Sequence, residues 1–470
     1  MEKDQEKIVF QIAERVSAAG GRAYYVGGFV RDQLMNPVNT ETSGNSAGNS
    51  AINDVDIEIH GIEPDKLKSI LVEIGDVLEF GKSFGIFSIA GYNVDIALPR
   101  KERQTGAGHR ELEVEVDPFL PVEKSCRRRD FTINAMMMDV LTGEILDFYG
   151  GREDLNAGVI RHVDDRSFPE DPLRVLRAAQ FAARFDFTIA PETSELCTTV
   201  DLRSLSPQRV EDELRKALVR GKKPSVFFQE LRKMNQLETW FPELGQLIGL
   251  QQDPVFHPEG DAWNHTMEVL DRAVAYRDRV EEPFGFMLLC LTHDFGKIVT
   301  TEVVKGRIHA YRHEVEGLPL IRNFLDRIAG EKKIKQYVTK MVPAHMKPNV
   351  TAFSRSSVKT TNRMFDSVPA PEDLIWMAMA DKPVMAGNTP FSGDLDFLQE
   401  RLEIYREIMD RPWITGRDLI DKGLEPGEDF GIILEHAHKL RLAGIEKDEA
   451  LKQTLGFART LRKKTNAEKQ

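Results

Sequence analysis

The stretch NDVDIEI, residues 53–59, alternates acid and aliphatic at each step after Asn53, with Asp54, Asp56 and Glu58 set against Val55, Ile57 and Ile59. Residues two apart in a β-strand share a face, so one side of this segment is buried and the other carries carboxylates. A chain with such a strand needs a sheet packed on one side and open on the other. Adjacent carboxylates repel each other unless water or a cation lies between them. Mg2+ takes oxygen ligands from one or two carboxylates and leaves room for phosphate. A solvated edge strand presents the same pattern, so the neighbouring segments must decide. Glu58, the last acid of the three, reads as a polar rim residue outside the metal pair.

At 470 residues the chain exceeds one ordinary core, and roughly two to four domains are expected. Its composition, 41% hydrophobic and 29% charged, is that of a globular protein. The longest apolar run, FGFMLLCL, is too short to cross a bilayer, and the N-terminal segment is too charged for a signal peptide. There Ile8, Ile12, Ala13 and Val16 form a helical stripe that Gly20 and Gly21 stop. Cys126, Cys197 and Cys290 lack CxxC spacing, which argues against a disulfide framework or structural zinc and for a reducing, cytoplasmic setting. With a net charge of −12, a nucleic-acid partner has to be held by local basic patches. Candidates are CRRRD at 126–130, the arginine-rich helices from Arg174 and RTLRKK near the C-terminus.

From about Ala23 to Gly150, short β-like runs alternate with helical patches, the pattern of a small α/β domain. After Asp171 the pattern is helical almost throughout. The passage GLQQDPVFHPEGDAW marks a boundary, and MAGNTPFSGD precedes a charged helical tail. Domains are therefore expected at 1–150, 151–250, 251–385 and 386–470. NTETSGNSAGNS, within 39–52, reads as a flexible insertion in a surface loop.

YYVGGFVRDQLM describes a strand-to-helix turn. Gly27 and Gly28 let backbone N–H groups approach a phosphate, and Arg31 adds charge. FSIAGYNVDIAL reads as a hairpin turning near Gly91 to Asn93. It carries Asp95 on the face opposite Val94 and Ile96, where a further carboxylate would complete a two-metal site. In CRRRDFTINAMMMD, the arginines beside Asp130 are expected to contact solvent, each other or a polyanion. Asp171 and Arg174, three apart, are expected to be neighbours on a helix face. Further on, WNHTMEV, LLCLTHDFGK and MAMADK place His265, the His293-Asp294 doublet and Asp381 in helical contexts, with His313 and His345 as candidates for a second ion. Imidazoles with carboxylates suit Mn2+, Fe2+, Ni2+ or Co2+, and Mg2+ where carboxylates dominate.

In order, VGGFVRD, DVDI, VDIALPR, RRRDFTINAM, GGREDL, EDPLRVLRAAQFAARF and SPQRVEDELRKAL resemble the class II tRNA nucleotidyltransferases and their bacterial poly(A) polymerase relatives. The resemblance implies an α+β chain: a polymerase-β-like nucleotidyltransferase head, an all-α neck and body, an all-α HD domain and a helical tail. It implies addition of CMP and AMP to the 3′ end of tRNA from CTP and ATP with Mg2+. Asp54 and Asp56 would be the metal pair and Asp95 the third acid. Gly27, Gly28, Arg31 and Asp32 would form the nucleotide-binding turn. Arg129, Asp130 and Asn134 would face ribose and triphosphate, with Arg177 among the nucleotide-binding residues. Asp171 and Arg174 would select the base. That last pairing has its own physical sense, because cytosine and adenine both offer an NH2 donor beside a ring-nitrogen acceptor, whereas uracil offers the reverse. RKERQTGAGHREL resembles the family's flexible loop, and Arg209 and Glu213 are positions that brace the neck helices in such proteins. The His265, His293, Asp294, Asp381 order resembles HD-domain phosphohydrolases, which implies a divalent transition metal or Mg2+ there. An A-adding enzyme or a poly(A) polymerase would share the head motifs. A metal-dependent phosphohydrolase with an RNA-binding head is the reading from another class.

Overall fold

The computed structural model describes residues 2–35, 55–80, 85–104, 112–254, 257–382 and 392–468. Asp54, the insertion at 39–52 and residues 105–111 of the flexible-loop match lie outside the described residues. The chain divides into two compact units, Met1–Arg209 with Val226–Gln236, and Val210–Ser225 with Leu237–Gln470.

The first unit begins with α1 (Glu2–Ala18), β1 (Arg22–Val26), α2 (Gly28–Met35), β2 (Val55–His60) and α3 (Pro64–Val72). Then come β3 (Val77–Phe80), β4 (Ile86–Ile89), β5 (Val94–Ala97), a ribbon of β6 (Arg100–Gln104) and β7 (Leu112–Val116), α4 (Val122–Arg127), β8 (Met137–Asp139) and β9 (Ile145–Leu146). Seven of these strands form one sheet in the order β3-β4-β5-β2-β1-β8-β9. Every neighbouring pair is antiparallel except β2 and β5, which run parallel. The hairpin expected around Gly91 is β4 and β5, and Gly91 takes a φ of +85° there.

The alternation in NDVDIEI acts as expected on its apolar side. Val55, Ile57 and Ile59 of β2, with Val94 and Ile96 of β5, pack against Ile8, Val9, Ile12 and Val16 of α1 and Leu67 and Leu71 of α3. The helix α1 ends at the glycines as read. Gly20 has a φ of +91°, and a Cβ on Gly21 would stand 2.5 Å from Ile62 Cγ1, so glycine is required at the second position by space.

Helices dominate from α5 (Gly151–Ala157) onward. The helix α6 (Leu173–Phe185) buries Val175, Leu176, Ala178, Ala179 and Ala182. In the second unit, helix Pro283–Thr292 is buried from Phe284 through Thr292. The tail helices Gly416–Asp421, Phe430–Leu442 and Lys447–Glu468 share a core of Leu419, Ile433, Ala437, Ala450 and Ala458. The segment 251–385 is not all-α, because Thr301–Val304 and Arg307–Ala310 form an antiparallel ribbon. Its two turn residues, Lys305 and Gly306, have φ values of +52° and +78°, the left-handed pair that a two-residue hairpin requires. A β-branched run placed directly before Lys-Gly was the signal.

Ile57→Ala removes a fully buried side chain from the central strand and should cost about 2–5 kcal/mol. Val72→Ala, at a site 59% exposed, should stay within about 0.5 kcal/mol. Thermal melting of both variants checks the contrast.

Candidate active site and candidate metal centre

In the parallel pairing of β2 with β5, Asp56 lies directly beside Asp95, and Ser88 of β4 is the partner of Asp95 on its other side. Both carboxylates sit on the open side of the sheet and are exposed. A cavity of about 200 Å³ is lined by Asp56, Glu58, Asp95, Arg100, Arg128 and Arg129, among others. Paired oxygen donors on a rigid strand pair, facing arginines across a cleft, suit Mg2+ with a phosphate-bearing substrate. The structure thus brings together Asp56, Asp95 and Arg129 from the sequence reading.

Glu58 corrects that reading. It is not a rim residue but is 1% exposed. It accepts hydrogen bonds from Ser125 Oγ and His60 Nε2, the latter at 2.9 Å. Its Oε2 lies 3.5 Å from both Arg128 Nη2 and Arg129 Nη2. The two arginines therefore contact a buried carboxylate, which the expectation of solvent or a polyanion alone did not include. Burial by itself would raise the Glu58 carboxyl, but the His60 hydrogen bond and the Arg129 and Arg128 charges bring it to about 2.

The glycine turn lies between β1 and α2 as read, with Gly27 at a φ of +66°. A Cβ on Gly27 would come within 3.2 Å of Arg129 Nη1, so the bare turn gives that guanidinium its place. Arg31 is 3% exposed. It donates from Nη1 to Asn134 Oδ1 at 2.6 Å and from Nε to Asp32 Oδ1 at 2.8 Å, and lies over the rings of Phe181 and Phe185. Asn134 in turn donates to Asp130 at 3.0 Å, and Arg177 Nε to the other Asp130 oxygen at 2.7 Å. Although buried, the Asp130 carboxyl is held below its ordinary range by the Arg177 charge and the Asn134 hydrogen bond. Five residues read as nucleotide-binding, Arg31, Asp32, Asp130, Asn134 and Arg177, thus form one hydrogen-bonded chain.

Asp171 and Arg174 do not share a helix face, because Asp171 lies ahead of α6, which begins at Leu173. The reason is Pro172, which disfavours helical geometry in the residue before it. Asp171 instead pairs with Arg209 Nη2 at 3.0 Å and accepts from the Leu173 N–H at 3.1 Å. Arg174 donates to the backbone oxygens of Ser167 and Arg128 at 2.6 and 2.7 Å. Both side chains are held from behind by groups other than each other.

In the second unit, His265 sits on helix Ala262–Ala273, His293 and Asp294 follow Pro283–Thr292, and Asp381 ends Pro371–Asp381. His265 Nε2 is 3.0 Å from Asp381 Oδ1 and 3.4 Å from His293 Nε2. His313 and His345 join them: His313 Nε2 is 3.3 Å from Asp294 Oδ1 and 3.2 Å from His345 Nε2. The ligand atoms form two groups that share Asp294, one with His265 and His293 and the other with His313 and His345. All five of those residues are buried. Burial works against charge on His293, yet Asp294 and Asp381 beside it raise it to about 10. His345, buried next to His293 and His313, is lowered to about 3. Buried carboxylates that draw protons onto imidazoles have the donor set and the negative charge that a divalent transition metal would satisfy. Two residues from the presumed boundary passage also belong here: Glu259 accepts from His265 Nδ1, and His257 Nδ1 is 3.0 Å from the same carboxylate. Lys297 lies 2.7 Å from Asp294 Oδ2.

Residues 23–161 match the family model described as Poly A polymerase head domain, and residues 186–247 match Probable RNA and SrmB-binding site of polymerase A. The multifunctional CCA protein of Pasteurella multocida is 33% identical over 419 residues, 86% of this chain and 92% of that protein. That of Xanthomonas oryzae pv. oryzae is 33% identical over 444 residues, 91% of this chain and all of its own. The chain belongs to the CCA tRNA nucleotidyltransferase family. Among solved structures, the Bacillus stearothermophilus CCA-adding enzyme in complex with CTP superimposes with a TM-score of 0.67 at 19% identity, covering 97% of this chain and 98% of that one. The Thermotoga maritima CCA-adding enzyme complexed with tRNA-CCA gives 0.62 at 22%, covering 96% and 95%. These likenesses establish the shared fold.

Sequence reasoning misplaced Glu58 at the rim and missed Glu259, His257 and Lys297. For Glu58 the signal was present, since the period of two that joins Asp56 to Glu58 continues to His60 and so predicts one continuous titratable face. Gly296 is required by space, as Gly21 is. A Cβ there would stand 1.9 Å from the His313 backbone oxygen, and Gly317 packs against Gly296 itself. Gly296→Ala should therefore destabilise the second unit by at least about 1–3 kcal/mol, read by thermal melting.

Proposed function

We propose that the chain adds CMP and AMP to the 3′ end of tRNA from CTP and ATP, without a nucleic-acid template. The observation that carries this is the in-register pair Asp56 and Asp95 on the open face of the sheet, set in one cavity with Arg128 and Arg129. Asp54, Asp56 and Asp95 would hold Mg2+, which when bound supplies a more acidic 3′-hydroxyl and a counter-charge for the leaving pyrophosphate. Arg128 and Arg129 bind the triphosphate by charge-assisted hydrogen bonds and fix its phosphorus in line with the RNA end. Asp171 accepts from the base NH2 and Arg174 donates to the ring nitrogen, which admits cytosine and adenine and mispairs with uracil. The Arg209 pair and the two backbone acceptors keep those side chains from reorienting for a wrong base.

The test is extension of a tRNA lacking its last three nucleotides, resolved to single nucleotides, with Mg2+. Two additions with CTP and a third with ATP are expected. Growth from ATP only on a CC-ending tRNA, or a long A ladder, would move the assignment to an A-adding enzyme or a poly(A) polymerase. Asp56→Ala should cut incorporation at least about a hundredfold, consistent with several kcal/mol of transition-state stabilisation lost.

A second activity is favoured by the two histidine and aspartate groups that share Asp294. We infer a metal-dependent phosphohydrolase in the second unit, with His265, His293, Asp294 and Asp381 holding a divalent transition metal and His313 and His345 extending the site. Asp294→Asn should abolish Ni2+-, Co2+- or Mn2+-dependent hydrolysis of a 2′,3′-cyclic nucleotide or a phosphomonoester. CMP and AMP incorporation by that variant should stay within about twofold of wild type. Equal loss of both activities would sink the division of labour.

A further inference from the structure

A carboxylate as deeply buried as Glu58 is costly unless its charge is compensated, and an apolar residue between Ile57 and Ile59 would pack without that cost. Its two oxygens are used differently. Oε1 is taken by Ser125 Oγ and His60 Nε2, and His60 Nδ1 lies 3.1 Å from the Leu120 backbone oxygen. Oε2 faces Arg128 and Arg129, with both Nη2 atoms at 3.5 Å. At that length the hydrogen bond from Arg128 is long and weak, and the Arg129 contact is an ion pair. The carboxylate gathers two guanidinium groups that would otherwise repel each other. The Nε of Arg129 is buried with no acceptor among the described residues, and its Nη1 lies against the bare turn at Gly27. The backbone that carries the pair is anchored too, since Arg174 donates to the Arg128 carbonyl at 2.7 Å.

A purely structural ion pair would turn its cations away from the cleft. Here both arginines line the same cavity as Asp56 and Asp95. We propose that Glu58 is a positioning residue that aims Arg128 and Arg129 at the triphosphate of the incoming nucleotide. The Ser125 and His60 hydrogen bonds set its own orientation. The proposal rests on the nucleotidyl-transfer reading of this site and adds a residue that touches neither substrate nor metal. It places triphosphate recognition on the same strand as Asp56, two residues along, so one backbone segment sets the distance between metal site and arginines.

Glu58→Gln keeps the volume and withdraws the charge. Expected are a rise of about tenfold in KM for both CTP and ATP, the factor of one charge-assisted hydrogen bond, with KM for tRNA and kcat at saturating nucleotide within about twofold. Calorimetry should show the same loss of affinity for MgCTP and none for cytidine, which has no phosphates for the arginines to hold. Parallel losses for MgCTP and cytidine, or no change in either, overturn the proposal. Should Glu58→Gln melt the fold, Ser125→Ala takes its place. It leaves the carboxylate but removes one of its orienting donors, and the same selective loss is expected at about threefold. An unchanged CTP affinity in that variant likewise overturns it. A wild-type chain that incorporates no CMP would remove the reading on which the proposal stands. A wild type that incorporates CMP, beside a Glu58→Gln variant with unaltered CTP binding, removes only the role of Glu58.

Discussion

The parallel pairing of β2 with β5, in a sheet otherwise antiparallel, is the constraint on which the head depends. A one-residue slip of either strand would turn its aliphatic set out of the core and its acids in. The register is held by Val55, Ile57, Ile59, Val94 and Ile96 packed on α1 and α3, so the core that stabilises the sheet is also what sets Asp56 against Asp95. The connection from β2 to β5 runs through α3, β3 and β4, and it returns β4 to the outer edge of β5, where Ser88 flanks Asp95. Paired carboxylates of this kind need no dedicated scaffold beyond the hydrophobic pattern.

Along β2 the acids diverge in character over two residues. Asp56 is exposed and Glu58 is not, and that difference in solvation decides what each can do. An exposed carboxylate beside another exposed carboxylate can exchange water for a cation. A buried one must be compensated by groups of the protein itself, here the charges of Arg128 and Arg129 and the hydrogen bonds of His60 and Ser125. The cavity therefore carries an acidic part open to ions and a basic part whose counter-charge lies behind it.

Local pattern made the first of these legible and not the second. The aliphatic side of the alternation at Val55, Ile57 and Ile59, the Ile8 to Val16 stripe, the Gly91 hairpin and the glycine turn all follow from spacings shorter than one element, and each is present in the structure. The Thr301–Ala310 ribbon was written in the same short-range code but was overlooked inside a helical stretch. The failures of another kind are pairings at long sequence separation: Arg31 with Asn134, Glu58 with Ser125, Asp171 with Arg209, Arg177 with Asp130. Nothing in the spacing of a single chain tells which arginine meets which acid, because charge complementarity alone allows too many partners. The histidine order in the second unit was legible as a set of ligands. Glu259 and His257 were not, since the Pro and Gly around them read as a break between domains.

The two candidate ion sites differ in the physical problem each has to solve. In the head, Asp56 and Asp95 are solvated before any ion arrives, so an ion there gives up part of its water for carboxylates that already have water of their own, and exchange with the substrate's phosphates is easy. In the second unit, Asp294 and Asp381 are enclosed and kept well below the ordinary carboxylate range by their imidazole neighbours, with burial opposing. Protons on His293, His265 and His313, whose imidazoles the carboxylates raise against burial, supply the positive charge that a divalent cation would replace. Metal entry there would be an exchange of an ion for protons and would depend on pH, whereas loading of the head site would depend on nucleotide, the ligand that brings its own negative charge. One site is thus suited to an ion that comes and goes with each substrate, and the other to an ion retained through many turnovers.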